Sequence, residues 1–259
     1  METIAPFAPA RHHGADPVRF DPPLLPATFL RRYKRFFADI VLPDGRTAVA
    51  HVPNTGALLG VARPSIPALV RRADRPGRKL PFGLVALRPG AAYVGVDTQL
   101  AMKLAREALE CGVVPELGGF DALRPEVRYG PRDRSRIDFL LSWSGRRPAA
   151  AYVEVKNTTL VRPGPDGREA AFPDAPTARG RKHLEDLAWA VRRGHRAALV
   201  FTVQRADCDV FAPAADIDPA YADGLARAMR AGVEVYALAP RRVGRHGLRL
   251  TRRLPVSVP

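Results

Sequence analysis

The residue types with chemistry in them gather in one stretch of this chain. Tyr152-Val153-Glu154-Val155-Lys156 reads as a strand. Side chains alternate along a strand, so Glu154 and Lys156 leave one face while Val153 and Val155 enter the core on the other. Asp138 lies upstream in a second strand, Ser135-Arg136-Ile137-Asp138-Phe139. A hairpin from Ile137 to Asn157 brings Asp138 beside Glu154. Two adjacent carboxylates repel, and a cation between them relieves the conflict. A hard divalent cation, Mg2+ or Mn2+, suits such oxygen ligands and can bind a scissile phosphate. Lys156 then stands where it can position or deprotonate an attacking water and stabilise developing charge. The same tripeptide also fits an ordinary solvent-facing strand with charges placed for solubility.

An acid, a gap and then Glu-x-Lys is the pattern of restriction-endonuclease-like phosphodiesterases. Glu107 is a candidate further ligand, at the border of the apolar stripe of the helix expected from Gln99 to Cys111. His183 follows Arg179-Gly180-Arg181-Lys182 at the start of another expected helix, a place that suits phosphate. Asp174 is a turn candidate, and Gln204-Arg205 ends a buried strand, a customary place for site residues in open sheets.

A different chemistry is written near the start. Arg31-Arg32-Tyr33-Lys34-Arg35-Phe36-Phe37 interleaves cations and aromatic rings. Bases stack on aromatic faces and phosphates pair with guanidinium groups, so the run reads as a single-strand-binding platform. The competing reading buries Tyr33, Phe36 and Phe37 in a barrel core and leaves the cations merely exposed. The loop His51-Val52-Pro53-Asn54-Thr55-Gly56 offers Asn54 either as a phosphate contact or as part of a plain turn.

Charge supports a polyanionic partner. Lys plus Arg number 41 against 26 for Asp plus Glu, a formal +15 over 259 residues. A basic surface gains affinity for nucleic acid by releasing counterions from phosphates. Cys111 and Cys208 form no CxxC pair, which excludes a zinc ribbon and fits a reducing cytoplasm. With no apolar run near membrane-spanning length and no secretory pattern at the start, a cytoplasmic protein with no membrane partner is expected.

Two grammars divide the elements that must position these residues. Residues 1–26 hold six prolines and read as an arm lying over the surface or disordered. Residues 27–90 hold short β runs: Phe29–Val41, the turn Pro43-Asp44-Gly45, Thr47–Val52, Ala68–Arg72 and Leu80–Leu87. A further run at Ala91–Val96 completes a small five-stranded barrel. Residues 91–259 alternate helices with strands. Helices are expected at Gln99–Cys111 with Thr98 as cap, at Arg181–Arg193, and from Asp218-Pro219 to Gly232. Strands are expected near Glu126–Tyr129, Ile137–Trp143, Ala151–Asn157, Ala197–Val203 and Val233–Ala237, which makes a sheet flanked by helices.

Segments spread along the chain resemble the sugar fermentation stimulation protein family. They include Arg32-Tyr33-Lys34-Arg35-Phe36, Pro53-Asn54-Thr55-Gly56, Arg78-Lys79-Leu80, Ile137-Asp138-Phe139, Val153-Glu154-Val155-Lys156-Asn157, Phe172-Pro173-Asp174, Lys182-His183 and Val203-Gln204-Arg205. The resemblance runs in consistent order from about Phe29 to Val256. It implies an N-terminal OB-fold barrel followed by a restriction-endonuclease-like α/β domain. It further implies DNA binding, in double- or single-stranded form, and a regulatory link to sugar metabolism, including maltose use. Carried over by residue, the nuclease-like site is Asp138, Glu154 and Lys156, with Glu107 as a possible helix ligand for Mg2+ or Mn2+. Lys79, Arg179, Lys182 and His183 join Arg31, Arg32, Tyr33, Lys34, Arg35 and Asn54 as candidate nucleic-acid contacts. The alternative to a DNA-binding regulator is an active metal-dependent nuclease acting on DNA or RNA. Val52 stands where the family usually has cysteine, and Arg128 where lysine is common; neither touches the presumed site.

Overall fold

The structure is a computed structural model that describes residues 18–72, 79–131, 135–145, 149–165 and 167–258. Arg78 and the first 17 residues of the expected arm lie outside the described residues. Short strands with alternating burial form the first domain: β1 (Leu25–Tyr33), β2 (Phe37–Val41), β3 (Thr47–His51), β4 (Ile66–Arg72), β5 (Phe82–Leu87) and β6 (Val94–Gly95). They run in the order β3-β2-β1-β4-β5-β6, and β3 also pairs with β5, which closes a five-strand barrel. Because β6 pairs with β5, the barrel sheet runs past residue 90 to Gly95. Phe29, Ile40, Ala50, Val70 and Leu84 fill its core.

The Phe29–Val41 run, expected as one strand, is two. The chain reverses at Lys34 and Arg35, both at positive φ (46° and 61°). A left-handed conformation is costly for residues carrying a Cβ, so a sequence without glycine gives no turn signal there. The expected turn at Gly45 is present, with φ of 83° and its amide donating to the Leu42 carbonyl at 2.9 Å.

The second domain begins with α1 (Thr98–Glu110). Asp97, not Thr98, caps it by accepting from the Gln99 amide at 2.9 Å, while the Thr98 hydroxyl donates to the Pro53 carbonyl of the barrel. Then follow β7 (Ala122–Tyr129), β8 (Ser135–Ser142), β9 (Ala150–Thr158), β10 (Leu160–Gly164), β11 (Gly167–Phe172) and α2 (Ala178–Arg192). The chain continues through β12 (Arg196–Val203), β13 (Val210–Pro213), α3 (Pro219–Arg230), β14 (Glu234–Val243) and β15 (Leu248–Leu254). The main sheet has the order β15-β14-β12-β9-β8-β7, with β9, β12 and β14 parallel at its centre. Apolar residues of α1 share a core with Val153, Val155, Ala198 and Val200 on one face. On the other, α2 and α3 pack on Leu199, Phe201 and Ala237. A separate small sheet, β10-β11-β13, was not anticipated.

Two features join the domains. Gln204 accepts the Gly95 amide on its carbonyl at 2.7 Å and donates through Nε2 to the Asp97 carbonyl and to Asn157. Gln204 therefore acts as a joint at the end of its strand. The chain before β1 docks on the second domain: Phe20 and Leu24 are buried, and their amides donate to the carbonyls of His246 and Arg245.

Candidate functional site

Antiparallel pairing of β8 with β9 sets Phe139 opposite Val153, and one step further along it carries Asp138 to Glu154. Asp138 Oδ2 accepts the Val155 amide at 2.7 Å. Glu154 is only 2% exposed. Lys156 Nζ, two residues on and therefore on the same face, donates to Glu154 Oε1 at 2.5 Å. Asp138, Glu154 and Lys156 thus converge as the alternation and the hairpin require.

They line a cleft of about 580 Å³ between the domains, walled by Asn54, Thr55 and Gly56 of the barrel and by residues 171–177 of the second domain. α2 supplies a partner that the sequence reading placed elsewhere. His183, expected at a nucleic-acid backbone, is buried instead and bonds Glu154 Oε1 through Nδ1. Arg179 Nε donates to His183 Nε2 at 3.3 Å. With Nε2 accepting, the proton of a neutral ring sits on Nδ1 and is donated to Glu154. His183 therefore orients the glutamate, and Arg179, which also lines the cleft, orients His183.

The two carboxyls titrate apart. Burial, reinforced by the neighbouring Glu154 charge, pushes Asp138 up to about 7, against the pull of the Val155 amide and Lys156. Burial also works against charge on Glu154, but the bond to His183 and the Lys156 ammonium outweigh it and hold the carboxyl below the usual glutamate range. Glu154 Oε2 is buried without a hydrogen-bond partner among the described residues. An orphaned carboxylate oxygen beside a second carboxyl is a donor set that fits a hard divalent cation.

The third expected ligand does not join them. Glu107 faces the opposite end of α1, where it accepts the Val18 amide at 3.1 Å and pairs with Arg249 at 2.8 Å. Its position alone favours a solvated helix-face carboxylate, yet Glu107 is buried, and its neighbour is the chain segment before β1, not the cleft. Among the described residues no group of three His, Cys, Asp or Glu side chains is set to hold a metal. A cation here would have two carboxylates and take its other ligands from water or a phosphate, which is how Mg2+ is commonly held.

In the barrel, two candidate contacts are committed to structure. Arg32 donates to the carbonyls of Arg35, Gly56 and Asn54 at 2.7, 2.7 and 2.6 Å. Asn54 is buried, donates to the Val96 carbonyl and accepts the Gly56 amide. Both brace a loop and have little left for a phosphate. Tyr33, Phe36 and Phe37 stay out of the barrel core: Tyr33 stacks with Phe37 at 5.6 Å, and Phe36, 42% exposed, stacks with His51. Arg31 lies over the Tyr33 ring and pairs with Asp39. Lys34, Arg35 and Lys79 are exposed. Lys182 turns from the cleft to Asp186, at 2.6 Å, and to the Ser135 hydroxyl.

No helix among the described residues is long and apolar enough to cross a membrane. Comparison with known proteins agrees with this architecture at both ends. Residues 30–96 match the SfsA N-terminal OB domain, and residues 99–242 match the sugar fermentation stimulation protein RE domain. A sugar fermentation stimulation protein homolog of Rhodospirillum centenum is 51% identical over 85% of this chain and 92% of its own. One from Geotalea daltonii is 47% identical over 91% of this chain and 97% of its own. The solved structure of Pyrococcus furiosus SfsA in complex with Ca2+ superposes with a TM-score of 0.80 at 28% identity, over 94% of this chain and 100% of that one. The chain belongs to the sugar fermentation stimulation protein family.

Proposed function

We propose that the protein binds nucleic acid, DNA before RNA, between its two domains and that Asp138 and Glu154 hold a divalent cation against a phosphodiester there. The observation that carries this is the convergence of two carboxyls, one with an orphaned buried oxygen, beside a lysine in an open polar cleft. That the Pyrococcus furiosus relative was solved in complex with Ca2+ supports a divalent-cation site in this family. Mg2+ or Mn2+, when bound, supplies a Lewis acid for the phosphoryl oxygen and for the attacking water. The chain's own residues do the rest. Lys156 places a fixed positive charge where negative charge develops as water adds to phosphorus and the ester P–O bond breaks. His183 and Arg179 keep Glu154 in one orientation, and Arg179 adds a second cation at the cleft wall.

A second reading keeps the binding and omits the cutting. Lys156 and His183 already satisfy Glu154 Oε1, so the cluster is closed on itself and can serve as a structural floor under a bound strand. Regulation of sugar use, maltose included, then follows from binding alone. The purified chain, mixed with labelled single- and double-stranded DNA in Mg2+, Mn2+ or EDTA, separates the two. Cleavage only with metal supports the nuclease; retention without cleavage supports the regulator; no retention under any condition overturns both. Competition with RNA of matched length ranks the two nucleic acids.

A further inference from the structure

Two cavities of this molecule share a wall. Beside the inter-domain cleft, a groove of about 640 Å³ runs along the barrel, and Thr55, Gly56 and Ala175 line both. The wall is fixed in place. Asp174 Oδ2 accepts the Leu58 amide at 3.1 Å, linking the second domain to the barrel loop. A Cβ added at Gly56 would lie 2.6 Å from Asp174 Oδ2, so only glycine allows this approach. From the other side Arg32 holds the carbonyls of Asn54 and Gly56.

The groove has its own chemistry. Its lining includes Arg31, Tyr33, Lys34 and Arg35. The Arg31 guanidinium lies 5.5 Å from the Tyr33 ring centroid, and its side chain is 74% exposed. Lys34 and Arg35 form a strained, exposed tip beside it. Strain of this kind collects at functional sites. A planar cation over an aromatic ring, next to two free-standing cations, suits unpaired bases followed by phosphates.

We infer that the ligand is a single strand of nucleic acid occupying both cavities at once. Its bases stack at Arg31 and Tyr33, its backbone follows Lys34 and Arg35 across the Thr55–Gly56 ridge, and one phosphate reaches Lys156 and Arg179. This deepens the proposed function and rests on that reading of the cleft. Three features select a single strand over a duplex. Bases offer their faces to a side chain only when unstacked and unpaired. The cleft, at about 580 Å³, is also of the size class that takes one small ligand, which favours one strand over two. A fixed ridge between the cavities bars a stiff rod and admits a chain that bends at every phosphate.

Fluorescence anisotropy of the full chain in Ca2+ tests this, using labelled oligothymidylates of 2 to 16 nucleotides and a duplex of the longest length, with oligouridylates as a parallel arm. The expected result is single strand over duplex by at least tenfold, with affinity rising with length and then levelling once both cavities are filled. Whichever of the two sugars binds, its single strand must outbind its own duplex. Tyr33→Ala should weaken the longest strand by roughly five- to a hundredfold, the range for one lost base stack. It should leave the dinucleotide unchanged. Lys34→Ala with Arg35→Ala, at exposed positions where folding is not at risk, should do the same. Equal or better binding of the duplex, or no dependence on length, overturns the inference. If Glu154→Gln still abolishes the Ca2+-dependent part of binding in that case, the reading of the cleft survives. If Glu154→Gln changes nothing, the cleft reading itself has failed.

Discussion

Arg32 in the barrel and Lys156 in the cleft are both cations held by oxygen atoms, yet their partners differ in kind. Arg32 is spent on three backbone carbonyls and holds a loop in shape. Lys156 rests on a carboxylate that has an unused oxygen, so its charge remains available to a ligand that also meets Glu154. Around Arg32 the neighbouring cations Lys34 and Arg35 are exposed and adaptable; beside Lys156, Glu154 and His183 are buried and bonded to each other, and Arg179 bonds His183. A surface that gathers a polyanion tolerates adaptable charges, because counterion release does not require one geometry. A site that stabilises a transition state needs its charges fixed beforehand. Under the proposed function, the two regions answer to those two tasks.

The comparison breaks first at Lys156. Lys156→Ala should slow metal-dependent cleavage by about 10²–10³, some 2.7–4 kcal/mol, the typical cost of one preorganised donor. Affinity for DNA should barely change, since one positive charge is lost from a chain with 41. Cleavage and retention measured together on the parent and the variant decide it. A parent that cuts and a variant that cuts equally well remove Lys156 from the chemistry.

How much of this was legible in the sequence differs between the same two regions. Asp138 meeting Glu154 and Lys156 needs only strand alternation and one short hairpin, and both are local rules. His183 was visible as a histidine near cations, but its bond to Glu154 depends on how α2 crosses β9, which no local pattern encodes. Glu107 shows the same gap: a place at the border of the helical stripe favours solvent, and the packing of residues before β1 and of Arg249 buries it. In the barrel, the turn at Lys34-Arg35 escaped notice because neither residue favours positive φ. Cationic spacing alone cannot tell a brace from a free charge, so Arg32 and Arg35 read alike. β10, β11 and β13 escaped because they are short and pair with one another in a separate sheet.

Arg32→Ala sharpens the contrast on the barrel side. Three carbonyls lose a charged donor, at about 1.5–3 kcal/mol for hydrogen bonds of this kind, with water replacing part of the loss at a half-exposed site. A net destabilisation of roughly 2 kcal/mol is expected, with a lowered urea midpoint and an unchanged m value. Arg35→Ala should leave the midpoint alone. If the two variants unfold together, Arg32 is not the brace described.

Asp138 gives a smaller effect with a definite sign. Its carboxyl is raised to about 7 in the folded protein from an ordinary 3.8, so between those values the folded state keeps a proton that the unfolded chain releases. Stability therefore falls as pH rises through that window, by at most about 1.4 kcal/mol per pH unit from this group. Asp138→Asn should flatten that slope and raise the melting temperature at pH 8 relative to the parent. A divalent cation should have the same stabilising direction in the parent at pH 8, by binding the ionised form, and no effect in the variant. A parent whose metal-free melting temperature rises from pH 5 to pH 7 as steeply as the variant's would mean that Asp138 does not hold the proton.

The last comparison separates the two regions most cleanly, because it concerns charge without chemistry. Each phosphate neutralised on duplex DNA contributes about −0.9 to the slope of log affinity against log salt, and about −0.7 on a single strand. Lys34 and Arg35 are exposed at the barrel tip, free to follow a backbone. Replacing both by Ala should therefore flatten the slope by up to about 1.4 on a single strand. At a given salt concentration affinity should fall for all sequences alike, because a phosphate contact carries no base information. Lys156→Ala should shift the slope by less than one contact, since its ammonium is already shared with Glu154 in the free protein. The measurement is a salt titration of binding in EDTA, so that no cleavage intervenes. Equal slopes for the parent and the Lys34/Arg35 variant would mean that the tip does not touch phosphate, and the barrel would then gather its strand by stacking at Arg31 and Tyr33 alone.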